Sequence, residues 1–150
     1  MSLGLLLDHW SSVRKGLYLA LERISDEQLT FSPGEGLWSL GQVALHIASA
    51  EHGWFRHVIQ NELPEWPQDL ELKDHPTVAG IRLVLDKIHD RTLVYLASLD
   101  DTGLKRIIRT SHGETFPVHA AVWHVLEHEI HHRGEIYLML GLLGIDAPDV

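Results

Sequence analysis

Histidine returns every four residues in the stretch Trp123-His124-Val125-Leu126-Glu127-His128-Glu129-Ile130-His131-His132-Arg133-Gly134-Glu135, between Pro117 and Gly144. At about 100° per residue, His124, His128 and His132 span only about 80° of a helix surface. Residues four apart bring their Cβ atoms to about 5–6 Å, so two imidazoles can converge on one ion. Neutral imidazole is the commonest protein ligand for zinc and its first-row neighbours. The pattern therefore predicts a long helix here and a metal site upon it.

Apolar spacing and chain breakers predict three more long helices. The first runs from about Leu3 to Ile24, with Leu3, Leu7, Trp10, Leu17, Leu21 and Ile24 at helical spacing. Ser25 and Gln28 then repeat the spacing of a capping box and predict a short fresh turn. Proline and two glycines make Ser32-Pro33-Gly34-Glu35-Gly36 a loop. Ser39 and Gln42 form a second capping box, opening a helix that carries on to about Gln60. Pro64 and Pro67 bracket a connector containing Trp66. The third helix follows Pro76, with Thr77 as cap, and ends at Asp101-Thr102-Gly103. Between Leu104 and Glu114, β-branched residues and a His112-Gly113 turn suit a small hairpin. Thr115 is expected to cap the last helix, with Pro117 in its first turn and Gly144 at its end. Residues 1–150 thus read as one all-α domain, a four-helix bundle, whose core can hold a metal between facing helices.

Charge and cysteine usage narrow the function. Twelve Lys+Arg against twenty-one Asp+Glu give a net charge of −9, which repels a phosphate backbone and argues against nucleic-acid partners. The absence of cysteine removes disulfides, thiolate ligands and a cysteine nucleophile, and suits a reducing cytoplasm. No uncharged run reaches the roughly 20 residues of a membrane span, and no basic leader precedes an apolar stretch.

A third ligand is needed, and the second helix offers His46, in its most apolar stretch, Val43-Ala44-Leu45-His46-Ile47-Ala48. Gln42, Ser49, Ala50 and Gly53 share that face and leave room beside the imidazole. A core histidine satisfied by one hydrogen bond is the plainer alternative, but the pair on the last helix favours a ligand. Three histidines with an open fourth position is the catalytic pattern for zinc, whereas structural sites are closed. Helical geometry alone excludes neither His124 nor His131. The reading adopted pairs His128 with His132, puts His124 in the pocket or behind a ligand, and leaves His131 at the edge. Glu135, one turn past His132, can orient that imidazole through its free nitrogen. Trp38, Trp54 and Trp123 are candidate pocket walls, with plain core packing as the alternative. Arg133 points away and is expected to pair with an acid. His128-Glu129-Ile130-His131-His132 also spells H-E-x-x-H, in which glutamate would be a peptidase general base. The extended pattern, however, needs glycine and histidine where this chain has Glu135 and Leu138.

Trp38-Ser39, then His46, then His128-x-x-x-His132-Arg133-Gly134-Glu135 resembles the DinB/YfiT-like family of metalloenzymes. The resemblance covers nearly the whole chain, with Glu135 standing where the signature is associated with glutamine. It implies an up-down-down-up four-helix bundle, often dimeric. It also implies a zinc or nickel ion held by His46, His128 and His132. Relatives of this kind include transferases and isomerases that use low-molecular-weight thiols such as mycothiol or bacillithiol.

Three functions follow as expectations. The first is a metal-dependent, thiol-using transferase of small molecules, acting as a homodimer. With no cysteine in the chain, its sulfur must come from a cosubstrate. The second is a hydrolase whose metal activates water. The third is a metal-binding stress protein without turnover.

Overall fold

A computed structural model describes residues 2–149. Three of its four long helices start where side chains replace missing backbone partners. Ser2 Oγ accepts the Leu5 N–H to open α1, Leu3–Leu21, three residues shorter than the apolar spacing predicts. The Ser25/Gln28 box forms as expected and holds a single 3₁₀ turn, Asp26–Thr30. The Ser39/Gln42 box opens α2, Leu40–Gly53, which continues through a wider π turn, Trp54–Ile59, as far as the predicted Gln60. Thr77 caps α3, Val78–Ala97, through the Gly80 N–H.

Two boundaries differ from expectation. Asp101-Thr102-Gly103 does not end α3. Asp100 accepts the Gly103 N–H and starts a separate short helix, α4, Asp101–Lys105. Thr115 does not cap the last helix either, because Thr115–Pro117 is strand β2, paired antiparallel to β1, Ile107–Arg109. The hairpin replaces the cap: α5, Val118–Leu142, begins where the Val118 N–H meets the Arg106 carbonyl. Gly144, at φ 75°, ends α5 as predicted. The Ile145 N–H reaches back to Leu140 O and the Gly144 N–H to Gly141 O, which is the Schellman arrangement.

The four long helices form a bundle in which α2 packs on α3 and α5, while α1 packs on α5 and α3. Two apolar clusters give the helix directions. One joins Leu17 and Leu21 of α1, Leu40 and Leu45 of α2, Ile81 and Leu85 of α3, and Ile136 and Leu140 of α5. The other joins Leu6 and Trp10, Phe55 and Ile59, Leu96, and Val118 and Leu126. The late turns of α1 and α5 therefore share an end with the early turns of α2 and α3. That is up-down-down-up, with α2 and α3 parallel and joined by the long connector through Trp66. The connector is held close because Gly53 has no side chain; a Cβ there would run into the Trp66 indole.

Between the two clusters lies a buried polar layer with one residue from each helix: Arg14, Glu51, His89 and Glu129. Arg14 grips Glu129 bidentately at 2.8 and 2.7 Å and reaches Glu51 at 2.7 Å. His89 Nδ1 lies 2.9 Å from the other Glu51 oxygen, and the Trp10 indole donates to Glu129 at 2.6 Å. Burial alone would raise the Glu51 pKa, but Arg14 and His89 outweigh it and hold the carboxyl at about 2. Among the described residues, no helix is long and apolar enough to cross a membrane.

Candidate metal centre

His46 sits near the middle of α2, and His128 and His132 one turn apart on α5, which packs against it. The fold brings the three predicted ligands together. His46 Nε2 and His132 Nε2 each lie 3.1 Å from His128 Nε2, and all three nitrogens fall within 4.8 Å of one another. His132 is buried; the other two are half-buried.

Hydrogen-bond chemistry shows what such a trio needs. Glu135 Oε2 lies 2.7 Å from His132 Nδ1, so in the neutral ring the proton sits on Nδ1 and the Nε2 lone pair faces inward. One proton on His128 Nε2 can satisfy one of its two contacts well, and the other nitrogen keeps an unmatched lone pair. The nitrogen left over needs a donor or a cation from outside the trio. Tetrahedral zinc with bonds of about 2.0–2.1 Å places its nitrogens roughly 3.3–3.4 Å apart, near the two short separations here. The donor set therefore fits a divalent transition metal. Burial, followed by the proximity of His132 and His46, pushes His128 down to about 3, and burial likewise lowers His46. These rings stay neutral, the form that ligates.

The remaining candidates fall in distinct places. Glu135 stands behind His132, as expected from its position one turn along. Trp38 lies against the cluster, with its ring 4.5 Å from that of His46 and 6.2 Å from that of His132. His124 is exposed and packs edge-on against Trp54 at 4.7 Å. His131 is on the surface, where its Nε2 lies 3.2 Å from the second oxygen of Glu135. Among the described residues Arg133 does not pair with an acid; its guanidinium reaches the Val13 carbonyl and lies over the Tyr137 ring. Trp54 packs among Trp66, Phe116 and His124, and Trp123 belongs to the core. Glu129, the glutamate of the H-E-x-x-H letters, is buried in the polar layer, bonded to Arg14 and Trp10. It has no access to the histidines as a base.

Sequence reasoning missed one wall of the site. Ser49, one turn after His46, accepts the Leu70 N–H at 2.9 Å and lays the connector alongside α2. Asp69, Glu71 and Lys73 thereby join Gln42, Trp38 and His46 around a cleft of about 320 Å³. No local pattern in the connector signals this, since its placement depends on a hydrogen bond to a distant serine.

Comparison with known proteins agrees with this architecture. The chain matches the DinB family over residues 1–150. It is 24% identical to YjoA of Bacillus subtilis over 143 residues, covering 93% of this chain and 89% of YjoA. Among solved structures it resembles YfiT from Bacillus subtilis, described as a probable metal-dependent hydrolase with an unusual four-helix bundle topology. That match has a TM-score of 0.70 at 24% identity and covers 93% of this chain and 88% of YfiT. The mycothiol-dependent maleylpyruvate isomerase matches at TM-score 0.59 and 16% identity, over 91% of this chain and 61% of that one. With the family matched from end to end and the four-helix bundle shared by these structures, the chain belongs to the DinB family.

Proposed function

We propose that the protein is a metal-dependent enzyme acting on small molecules, with His46, His128 and His132 as the ligands of a zinc ion or, second, nickel. The reading we favour is a transferase that uses a low-molecular-weight thiol. The observation that carries it is the convergence of three Nε2 atoms beside an open cleft, the arrangement of catalytic rather than closed structural zinc. A bound ion would supply a Lewis acid able to lower the pKa of a thiol or a water molecule. The chain's own residues do the rest. Glu135 holds the proton on His132 Nδ1 and so fixes that ring's orientation. Trp38 packs on His46 and screens one side of the site from water. With no cysteine in the sequence, a sulfur nucleophile must enter with the cosubstrate. The likeness to the mycothiol-dependent isomerase supports the thiol, and YfiT's description supports a second reading, a metal-activated hydrolase.

The supporting features also suit a cytoplasmic homodimer. Leu83 and Val94 of α3 and Leu5 and Leu19 of α1 are exposed apolar side chains that a second copy could cover.

The test is elemental analysis of protein purified without a metal-affinity column, followed by turnover assays with and without added thiol. Wild type and His131→Ala should carry close to one ion per chain. Alanine at His46, His128 or His132 should reduce that at least tenfold. Turnover only with thiol supports the transferase, and turnover without it the hydrolase. Full occupancy in His46→Ala would remove α2 from the site and end the proposal.

A further inference from the structure

The histidine cluster is approached by two clefts, and Trp38 lines both. One is the 320 Å³ cleft already described, whose lining is polar: Gln42, Asp69, Glu71 and Lys73. The other, of about 390 Å³, shares Trp38 as a wall and is otherwise lined mainly by Pro33, Leu37, Val43, Leu138 and Met139, with Glu135 as its charged member. His46 itself lines the polar cleft, and the apolar cleft meets the trio through Glu135, which bonds His132, and Trp38, which packs on His46.

The two sides differ in what they can recognise. On the polar side Lys73 is paired with Glu71 at 2.6 Å, whereas Asp69 has no salt-bridge partner among the described residues, and its charge acts on His46. A free carboxylate beside the Gln42 amide suits ammonium and hydroxyl groups. The apolar side has no such donor or acceptor apart from Glu135. Three large apolar side chains are exposed around it: Leu37 at 59%, Trp38 at 47% and Leu138 at 64%. Exposed apolar side chains gathered at the mouth of a site mark a surface that a ligand covers. The wall between the clefts is built firmly. Ser32 Oγ lies within hydrogen-bond reach of both the Gly34 and Leu37 carbonyls, and Gly36 turns the loop at φ 75°. The Ser39/Gln42 box then fixes the residue that follows Trp38.

We propose that the site takes two different molecular parts at once, separated by Trp38. An amine- or hydroxyl-bearing part lies along Gln42 and Asp69, and an uncharged aliphatic or aromatic part lies between Leu37 and Leu138. Trp38 is the specificity-determining wall. This rests on the metal reading above. It deepens that reading by naming the chemistry of the two partners a transferase would bring together: a hydrophilic cosubstrate and an apolar acceptor.

The experiment uses zinc-loaded protein and titration calorimetry with hydroxamic acids, whose head groups ligate zinc. Acetohydroxamate reports on the open metal position alone. Straight-chain homologues of increasing length test the apolar side, and glycine hydroxamate, with its ammonium group, tests the polar side. Burial of each methylene should raise affinity up to about fourfold over the first few carbons. Leu138→Glu should flatten that slope and leave glycine hydroxamate unchanged. Asp69→Asn should weaken glycine hydroxamate about tenfold and leave the alkyl slope unchanged. Both positions are exposed, so neither change threatens folding. With Trp38→Ala added, each probe should become sensitive to both substitutions. If acetohydroxamate binds but the alkyl slope is absent, or if the two variants affect both probes alike, the two-sided site is wrong while the metal reading stands. If acetohydroxamate itself fails to bind zinc-loaded protein, the open metal position falls, and the two-sided site falls with it.

Discussion

His128 and Glu129 are neighbours in sequence, yet they serve two polar regions that solve opposite problems. Glu129 faces the bundle axis, where Arg14, Glu51, His89 and Trp10 use one another's donors and acceptors. His128 faces the cleft side, where three imidazole nitrogens meet and cannot all be satisfied by the protons they carry. The first region is closed and its partners come from the fold. The second is incomplete, and in the proposed reading its partner is a metal ion from solution. The difference shows why a buried charged cluster is not by itself a functional site. The test is whether the cluster's hydrogen bonds close without a guest.

Removing Arg14 should give the largest effect, and it would break the comparison if the two regions were not independent. Arg14→Met strands two buried carboxylates, and removing one partner of a buried pair costs about 3–5 kcal/mol. That is a large share of the roughly 5–15 kcal/mol that holds a domain together. Urea denaturation at pH 7 should show this loss, while the protein that remains folded keeps its metal stoichiometry. Adding Glu51→Leu and Glu129→Leu should recover much of the stability, because an apolar layer carries no stranded charge. An Arg14→Met protein of normal stability that no longer held metal would show that the polar layer belongs to the site.

Much of this was legible in the sequence, and what was not has a common cause. Both capping boxes, the Thr77 cap and the Gly144 stop depend on residues within a turn of one another, and all four form. Four-residue spacing aligned the histidines of α5 but left His124 and His131 as alternatives, and the family resemblance singled out His46, His128 and His132. The polar layer was invisible because Arg14, Glu51, His89 and Glu129 each look like the polar face of an amphipathic helix. Only the rotation of four helices about a shared axis turns them inward. The same blindness makes Glu129 look like part of a peptidase motif. Thr115 looks like a cap because serine and threonine near a helix start usually are caps. The hairpin overrode that local preference by supplying the Arg106 carbonyl for the first turn of α5.

Acid titration should separate the two regions by pH. In the folded metal-free protein His128 titrates at about 3 instead of the 6.5 of the free side chain, because burial and neighbouring histidines disfavour its charged form. Between those values the unfolded chain binds more protons, so stability falls as pH drops from 6.5. Glu51 is held at about 2 against 4.5 unfolded, so its contribution is complete above pH 4.5 and is lost as pH falls towards 2. Denaturation of the apoprotein across pH 3–8 should therefore show a decline starting near 6.5 that steepens below 4.5. His128→Asn should flatten the upper part and leave the lower. A variant curve that superimposes on wild type would contradict assigning the upper part to His128 and leave it to His46 and His52, which burial also lowers.

The smallest expected effect is at Glu135, and it sharpens the comparison because Glu135 gives the open region its one closed hydrogen bond. Its carboxylate does two things for His132: it accepts the Nδ1 proton and it places a negative charge behind the ring. Loss of such a partner lowers metal affinity about 10–100-fold. Glu135→Ala removes both effects and should fall in that range. Glu135→Gln keeps an acceptor oxygen but removes the charge, so it should lose less. Neither should change the stability of the metal-free protein by more than about 0.5 kcal/mol, since the side chain is partly exposed. Competition titration with a zinc-sensitive dye measures the affinities, and urea denaturation checks the stability. If glutamine and alanine weaken binding equally, the charge carries the whole effect. If glutamine binds like wild type, the hydrogen bond to Nδ1 is enough, and what the open region needs behind His132 is an acceptor rather than an anion.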